Sequence, residues 1–161
     1  MPLYIAYNGP SPTTAAQLKV TTGTAIKTLL QIATPSTREI EVVEWGFSVD
    51  GITAATPGIV ELLQTDVAAT VTSLTPTVYR PSNAPASLCV GGAALTGYTS
   101  TAEGTITATR EFDAQLIAPT NQYVKQFPLG NEPVVAVSKF LRVRVTYSAA
   151  INALCYVIWR E

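Results

Sequence analysis

The chain has 161 residues, a length that suits one domain burying about 70% of the surface its unfolded form exposes. Only 13% of the residues are charged, the net charge is -1 and histidine is absent, whereas ordinary soluble domains carry about 25% charged residues. These features exclude a Ser-His-Asp or Cys-His catalytic arrangement, a His-ligated metal, and strong steering toward nucleic acid or an anionic membrane. No apolar run approaches the roughly 18 residues of a membrane-spanning helix.

Residues 1 to 16 read as an N-terminal arm. Leu3, Tyr4, Ile5 and Tyr7 are apolar or aromatic, and Asn8-Gly9-Pro10-Ser11-Pro12 is a turn and breaker cluster. Such an arm docks either on its own domain or on a neighbour. Its first six residues lack a basic stretch ahead of an apolar core, so they do not read as a secretory signal, and a cytoplasmic site of synthesis is expected.

From residue 17 to 161 a single β domain is predicted. Gln17 to Thr21 and Ala25 to Ala33 read as strands. Arg38 to Asp50 is the clearest strand of this half. Val43, Trp45, Phe47 and Val49 fall on a continuously apolar face, predicted to be the core face. Asp50-Gly51 is a turn signal, and Gly58 to Thr65 follows as another strand. Residues 66 to 104 hold many prolines, glycines and small residues and little alternation, apart from a short segment at Ala69 to Leu74. Their low charge argues against a solvated linker. Long ordered loops with a contact role are expected there.

Alternation resumes in Thr105 to Leu116, with Arg110, Phe112, Ala114 and Leu116 on one face. Gln122 to Leu129 is followed by the Gly130-Asn131-Glu132-Pro133 turn. Lys139 to Tyr147 then places Leu141, Val143 and Val145 opposite Phe140, Arg142 and Arg144. The two arginines are expected on an outer face, solvated, ion-paired or turned to an acidic partner. In Asn152 to Trp159 both faces are apolar, which suits a central strand or one covered by a second sheet or subunit. About eight strands without a helical period predict an all-β fold, an antiparallel β-sandwich. The long loops favour a jelly-roll-like form. An immunoglobulin-like sandwich is the alternative, weakened by the missing Cys-Trp-Cys spacing.

Chemistry-bearing groups are sparse. Asp50, Asp66 and Asp113 lie too far apart for a calcium loop. Glu39 and Glu41 fit a solvated strand face, and Gly91, Gly92 and Gly97 form no phosphate-binding pattern. Trp45 and Trp159 suit core packing more than ligand stacking. Cys155 lies in the apolar last strand and Cys89 in a loop. They either stay free or bridge, and spacing does not decide between the two.

Several blocks carry a resemblance. They are Val43-Glu44-Trp45-Gly46-Phe47-Ser48-Val49-Asp50-Gly51, Val60 to Val67, Asn83 to Ser87, Gly104 to Arg110, Phe127-Pro128-Leu129-Gly130 and Phe140 to Val145. Together, from about Thr21 onward, they resemble a family of small virion proteins of tailed bacteriophages and prophages. The resemblance implies a non-enzymatic capsid decoration or cement protein made in the bacterial host's cytoplasm. It would sit on the outer capsid surface as a homotrimer of jelly-roll-like subunits. Its partners would be its own copies and the major capsid protein lattice, with no nucleic acid, membrane, metal or cofactor. The interface residues expected on this basis are Leu3, Tyr4, Ile5, Tyr7, Tyr79, Tyr98, Arg142 and Arg144. A tail-associated or glycan- or receptor-binding sandwich is the alternative, with Tyr79, Tyr98 and Tyr123 as the loop tyrosines that would serve it.

Overall fold

A computed structural model describes residues 1–52 and 55–161. In chain order the strands are β1 (Leu3–Tyr7), β2 (Val20–Thr21), β3 (Lys27–Ala33), β4 (Ile40–Val49), β5 (Gly58–Thr65), β6 (Thr70–Ser73) and β7 (Thr77–Arg80). They continue as β8 (Gly97–Ala102), β9 (Thr109–Ile117), β10 (Gln122–Gln126), β11 (Val134–Val135), β12 (Phe140–Thr146) and β13 (Asn152–Arg160). No helix occurs among the described residues, so none is long and apolar enough to cross a membrane.

The strands form two antiparallel sheets, as the alternation predicted. The seven-stranded sheet runs β10-β4-β13-β1-β7, with β11 also on β4 and β2 on β13. The six-stranded sheet runs β6-β8-β3-β12-β5-β9. Between them lies one core that includes Trp45, Trp159, Ile40, Leu62, Leu141 and Val143, all fully buried. Aromatic pairs stitch it together: Tyr4 lies 6.2 Å from Trp159 and Phe47 stacks 6.4 Å from Tyr147. The last strand is central, with Cys155, Val157 and Trp159 in the core and Leu154 and Tyr156 on the opposite, less covered face.

Residues 3 to 7, expected in an arm docked on its own domain or on a neighbour, are an interior strand of the seven-stranded sheet. β1 pairs with β13 from Leu3↔Arg160 to Tyr7↔Tyr156, and with β7 on its other side. A five-residue segment alternating Leu, Tyr, Ile, Ala, Tyr presents Tyr4 and Ala6 to the core, where both are buried. Residues 66 to 104 also hold three short strands, β6, β7 and β8, whose Thr, Ser and Gly content blurs the period-2 pattern.

Three bulges explain where the predicted faces fail. Opposite β13, residue Ile158 pairs with Glu44 and Trp159 with Val42, so Val43 is an extra residue in β4. The bulge resets the side-chain phase. Ile40 and Val42 therefore join Trp45 and Phe47 inside, and Val43 does not lie on their face as alternation predicted. In β3, Leu29 is the extra residue, and Leu29 and Leu30 are both buried. In β9, Phe112 is the extra residue; Asp113 turns inward and Leu116 is left 74% exposed.

The outer face of the six-stranded sheet is partly roofed by its own chain. Leaving β5, residues 66–69 cross β12 and β3 to reach β6 beyond β8. Arg142 and Gln31, which point outward beneath this crossover, hold it. Arg142 donates to the Val67 carbonyl and, at 3.1 Å, to the carbonyl and carboxylate of Glu103. Gln31 accepts from the Ala69 amide at 2.8 Å and donates to the Leu95 carbonyl at 2.7 Å. Arg142, expected on an outer face as a solvated, ion-paired or partner-facing side chain, is thus fully buried, because the carbonyls of the crossover above it need donors that the already paired backbone of the sheet does not supply. Arg144 is ion-paired with Glu61 at 2.9 Å.

Candidate interaction surfaces

Polar chemistry inside the protein is structural. Asp113 in β9 reaches across to the other sheet. It accepts from the Trp45 indole at 3.2 Å, from the Tyr123 hydroxyl at 2.9 Å and from the Gln115 amide at 3.0 Å, and it pairs with Lys125 at 3.3 Å. Burial pushes its carboxyl pKa up, but the Gln115 and Tyr123 bonds and the Lys125 charge outweigh that and hold it below the usual range. The same contact, with burial as the larger cause, pushes Tyr123 up to about 12. Glu161 holds the 84–89 loop by accepting from Ser87, from the Leu88 amide and from the Trp159 indole. Cys89 and Cys155 are both free and both buried, and burial raises both thiols. No cluster of three or more metal-ligating side chains occurs among the described residues.

Both sheets guard their edges. β6 and β7 have only four residues each, and β7 stops at Pro81. β9 carries the Phe112 bulge and the inward Asp113, and β10 carries Lys125. Bulges, charges and shortness are the means by which edge strands avoid pairing with other chains. Contact surfaces are therefore to be sought on the faces and ends of the sandwich.

One end carries little charge in its connections, with Lys27 and Glu103 at their border. The pairs Lys27↔Val145, Ile59↔Leu116, Thr21↔Asn152 and Gln122↔Ser48 bring four connections to the same end, at 22–26, 50–57, 118–121 and 148–151. They bind one another through backbone hydrogen bonds: Thr22 N–H to Ile151 at 2.8 Å, Gly51 N–H to Pro119 at 2.8 Å and Asp50 N–H to Asn152 at 3.1 Å. Asp50 is the only charged residue in these connections, and Lys19 neutralises it at 2.8 Å. Ile52 is 95% exposed there and Ile26 is 53% exposed, beside the exposed cross-strand pair Ile59 and Leu116. At the opposite end stand Arg38, Glu39, Asp66 and Lys139, with Arg160 bridging Glu41 and Glu132 at 2.6 and 3.6 Å.

The second open surface is the outer face of the seven-stranded sheet. Leu3, Ile5 and Tyr7 of β1 do lie here, with Leu154, Tyr156 and the exposed Tyr79. Tyr7 and Tyr156 pack 5.5 Å apart, and Tyr156 lies flat over Gly46, where a Cβ would come within 2.3 Å of its ring. Tyr156 donates to Glu44, and burial together with this bond raises its pKa.

The residues predicted for an interface therefore divide. Leu3, Ile5, Tyr7 and Tyr79 share this face. Tyr4 belongs to the core and donates to the Pro85 carbonyl at 3.0 Å. Tyr98 pairs with Leu30 and packs half-buried on the core, while Arg142 and Arg144 are committed to the crossover and to Glu61. Alternation across β13 had flagged a second apolar face, which points to Leu154 and Tyr156. Ile26, Ile52 and Leu116 were missed, because what unites them is topology and not sequence spacing. Comparison with protein-family models, with curated proteins and with solved structures returns no match.

Proposed function

We propose that this chain is a non-enzymatic structural protein of a tailed-phage virion, a decoration subunit seated on the outer capsid through the low-charge end of its sandwich. The observation that carries this reading is the segregation of charge. Four adjoining connections hold one, already neutralised, charge and expose Ile26 and Ile52, with Lys27 and Glu103 at their border, while more ionic groups gather at the other end. Seating a neutral surface against a protein shell desolvates few charges, so a modest apolar contact is not offset by a large polar penalty. Many equivalent sites on a lattice then add by avidity. The family resemblance supplies the capsid as the partner, and with it the jelly-roll form and the homotrimer.

Capsids of the encoding phage or prophage, stripped of this protein, test the reading. Wild type and Leu129→Asp, altered outside the low-charge end, are expected to rebind. Ile26→Asp/Ile52→Asp is expected to lose rebinding by at least tenfold with its fold intact. Equal rebinding by all three proteins overturns the proposed seat. Light scattering checks the homotrimer: a mass near three times 17.1 kDa is expected, in solution or on the lattice.

A further inference from the structure

On the outer face of the seven-stranded sheet, the segment that follows β1 folds back beside Leu154 and leaves a groove of about 300 Å³. Tyr7, Leu154 and Pro12 give it an apolar wall, and Ser11, Gln17 and Thr77 give it hydroxyl and amide groups. None of these six residues is charged. The groove is held open by its own framework. Asn8, fully buried at its root, donates to the Ala153 carbonyl and accepts from the Cys155 amide, each at 3.0 Å. Gly9 lies against Leu18 with no room for a Cβ, since one would meet the Leu18 Cβ at 2.9 Å. Pro10 and Pro12 fix the backbone dihedrals of the rim, and Gln17 donates to the Pro10 carbonyl at 3.3 Å. The Tyr7 and Ser11 side chains both line the groove, and their hydroxyls make no hydrogen bond to the protein among the described residues.

We propose that this groove is a binding site for a neutral saccharide. The Tyr7 ring beside the Tyr7 and Ser11 hydroxyls, with the Gln17 amide and the Thr77 hydroxyl already bonded to the Pro10 and Ile5 carbonyls, matches a sugar ring, which is apolar on its C–H face and hydroxylated at its rim. The lining has no cation to hold a carboxylated or phosphorylated ligand and no anion to hold an amine, so charge matching selects an uncharged one. A preformed wall lowers the ordering cost of binding a small ligand. Tyr79 and Tyr156, on the same face, extend the aromatic surface for a second ring of an oligosaccharide. This groove adjoins the low-charge end, since Gln17 lies two residues from Lys19 and Leu154 two from Asn152, but none of its lining residues belongs to the four connections there.

Titration of the full-length protein with maltose, cellobiose, lactose and diacetylchitobiose, followed by NMR of Tyr7 and Leu154, tests the assignment. At least one of these disaccharides is expected to shift both residues with a Kd of about 1 mM or tighter. Sialyllactose is expected to bind at least tenfold more weakly than the best neutral disaccharide. Tyr7→Ala is expected to weaken binding at least tenfold and Ile26→Asp/Ile52→Asp to leave it unchanged. Tyr7→Phe, which keeps the ring and the packing on Tyr156, should weaken it only severalfold. Absence of shifts with all four neutral sugars at about 20 mM, or equal binding by a folded Tyr7→Ala, overturns the proposal.

Discussion

Replacing Asp113 by alanine tests how the two sheets are tied at their open edge. The carboxylate is the acceptor for the Trp45 indole N–H, on a side chain with no solvent exposure. Leaving that donor buried without an acceptor costs about 1–3 kcal/mol, and losing the half-buried Tyr123 bond adds about 1 kcal/mol. Lys125 is exposed enough to recover water, so its ion pair adds little. The sum is about 3 kcal/mol, a large part of a domain's total stability. For a chain of this length it lowers Tm by roughly 10 °C. Asp113 has a folded pKa held below its unfolded value, so its contribution is complete above the unfolded pKa of about 3.9. It is lost as pH falls through the folded value. Thermal unfolding by circular dichroism should therefore show a constant gap between wild type and Asp113→Ala from about pH 5 to pH 8, narrowing below about pH 4. A Tm difference under about 2 °C at neutral pH, or a gap that widens in acid, would refute the argument.

Other perturbations test the remaining contacts. Arg142→Met removes the cation that bonds the Val67 and Glu103 carbonyls and the Glu103 carboxylate, although Val67 keeps a bond from Thr65 and the carboxylate keeps bonds from Thr28 and Ser100. It should cost about 3–5 kcal/mol in denaturant unfolding and speed proteolysis within 66–69; a loss below about 1 kcal/mol would mean that the crossover does not need the arginine. Gly58→Ala drives a Cβ to 2.5 Å from the ring of Tyr147, which is buried and held by a 2.9 Å bond to the Ile117 carbonyl. A loss of about 1–3 kcal/mol is expected, and an unchanged midpoint would show that the ring can move. Both cysteines should resist a thiol reagent in the native protein and both should react once it is unfolded, because burial raises their pKa and blocks access. Fast native labelling of either one would contradict its placement.

How far the sequence can be read depends on whether a feature is local. β5 spans Gly58–Thr65 as expected, and β12 is one residue shorter at each end than the expected Lys139 to Tyr147. In β12, Leu141, Val143 and Val145 alternate with Arg142 and Arg144, and period-2 patterning reports directly on a half-buried strand. The faces of β4 and β9 were misjudged because a single inserted residue at Val43 or Phe112 inverts the phase, and nothing in the identity of either residue announces it. Burial of Arg142 was invisible for another reason: it depends on the route of residues 66–69, which the topology sets. β1 was missed as a strand because five residues ahead of a proline cluster carry too few alternations to separate a strand from a sticky segment. The neutral end was present in the sequence as four Ala-, Thr- and Gly-rich turns, 22–26, 50–57, 118–121 and 148–151. Only strand register shows that they meet.

The central claim is that the low-charge end faces the capsid. Hydroxyl-radical footprinting of the free and the capsid-bound protein, with oxidation read residue by residue, tests it most directly. The account predicts protection of Ile26, Ile52 and Leu116 on binding, with Leu129 and Met1 oxidised as in the free protein. Protection of Leu129 and Met1, with Ile26 and Ile52 still reactive, would contradict it.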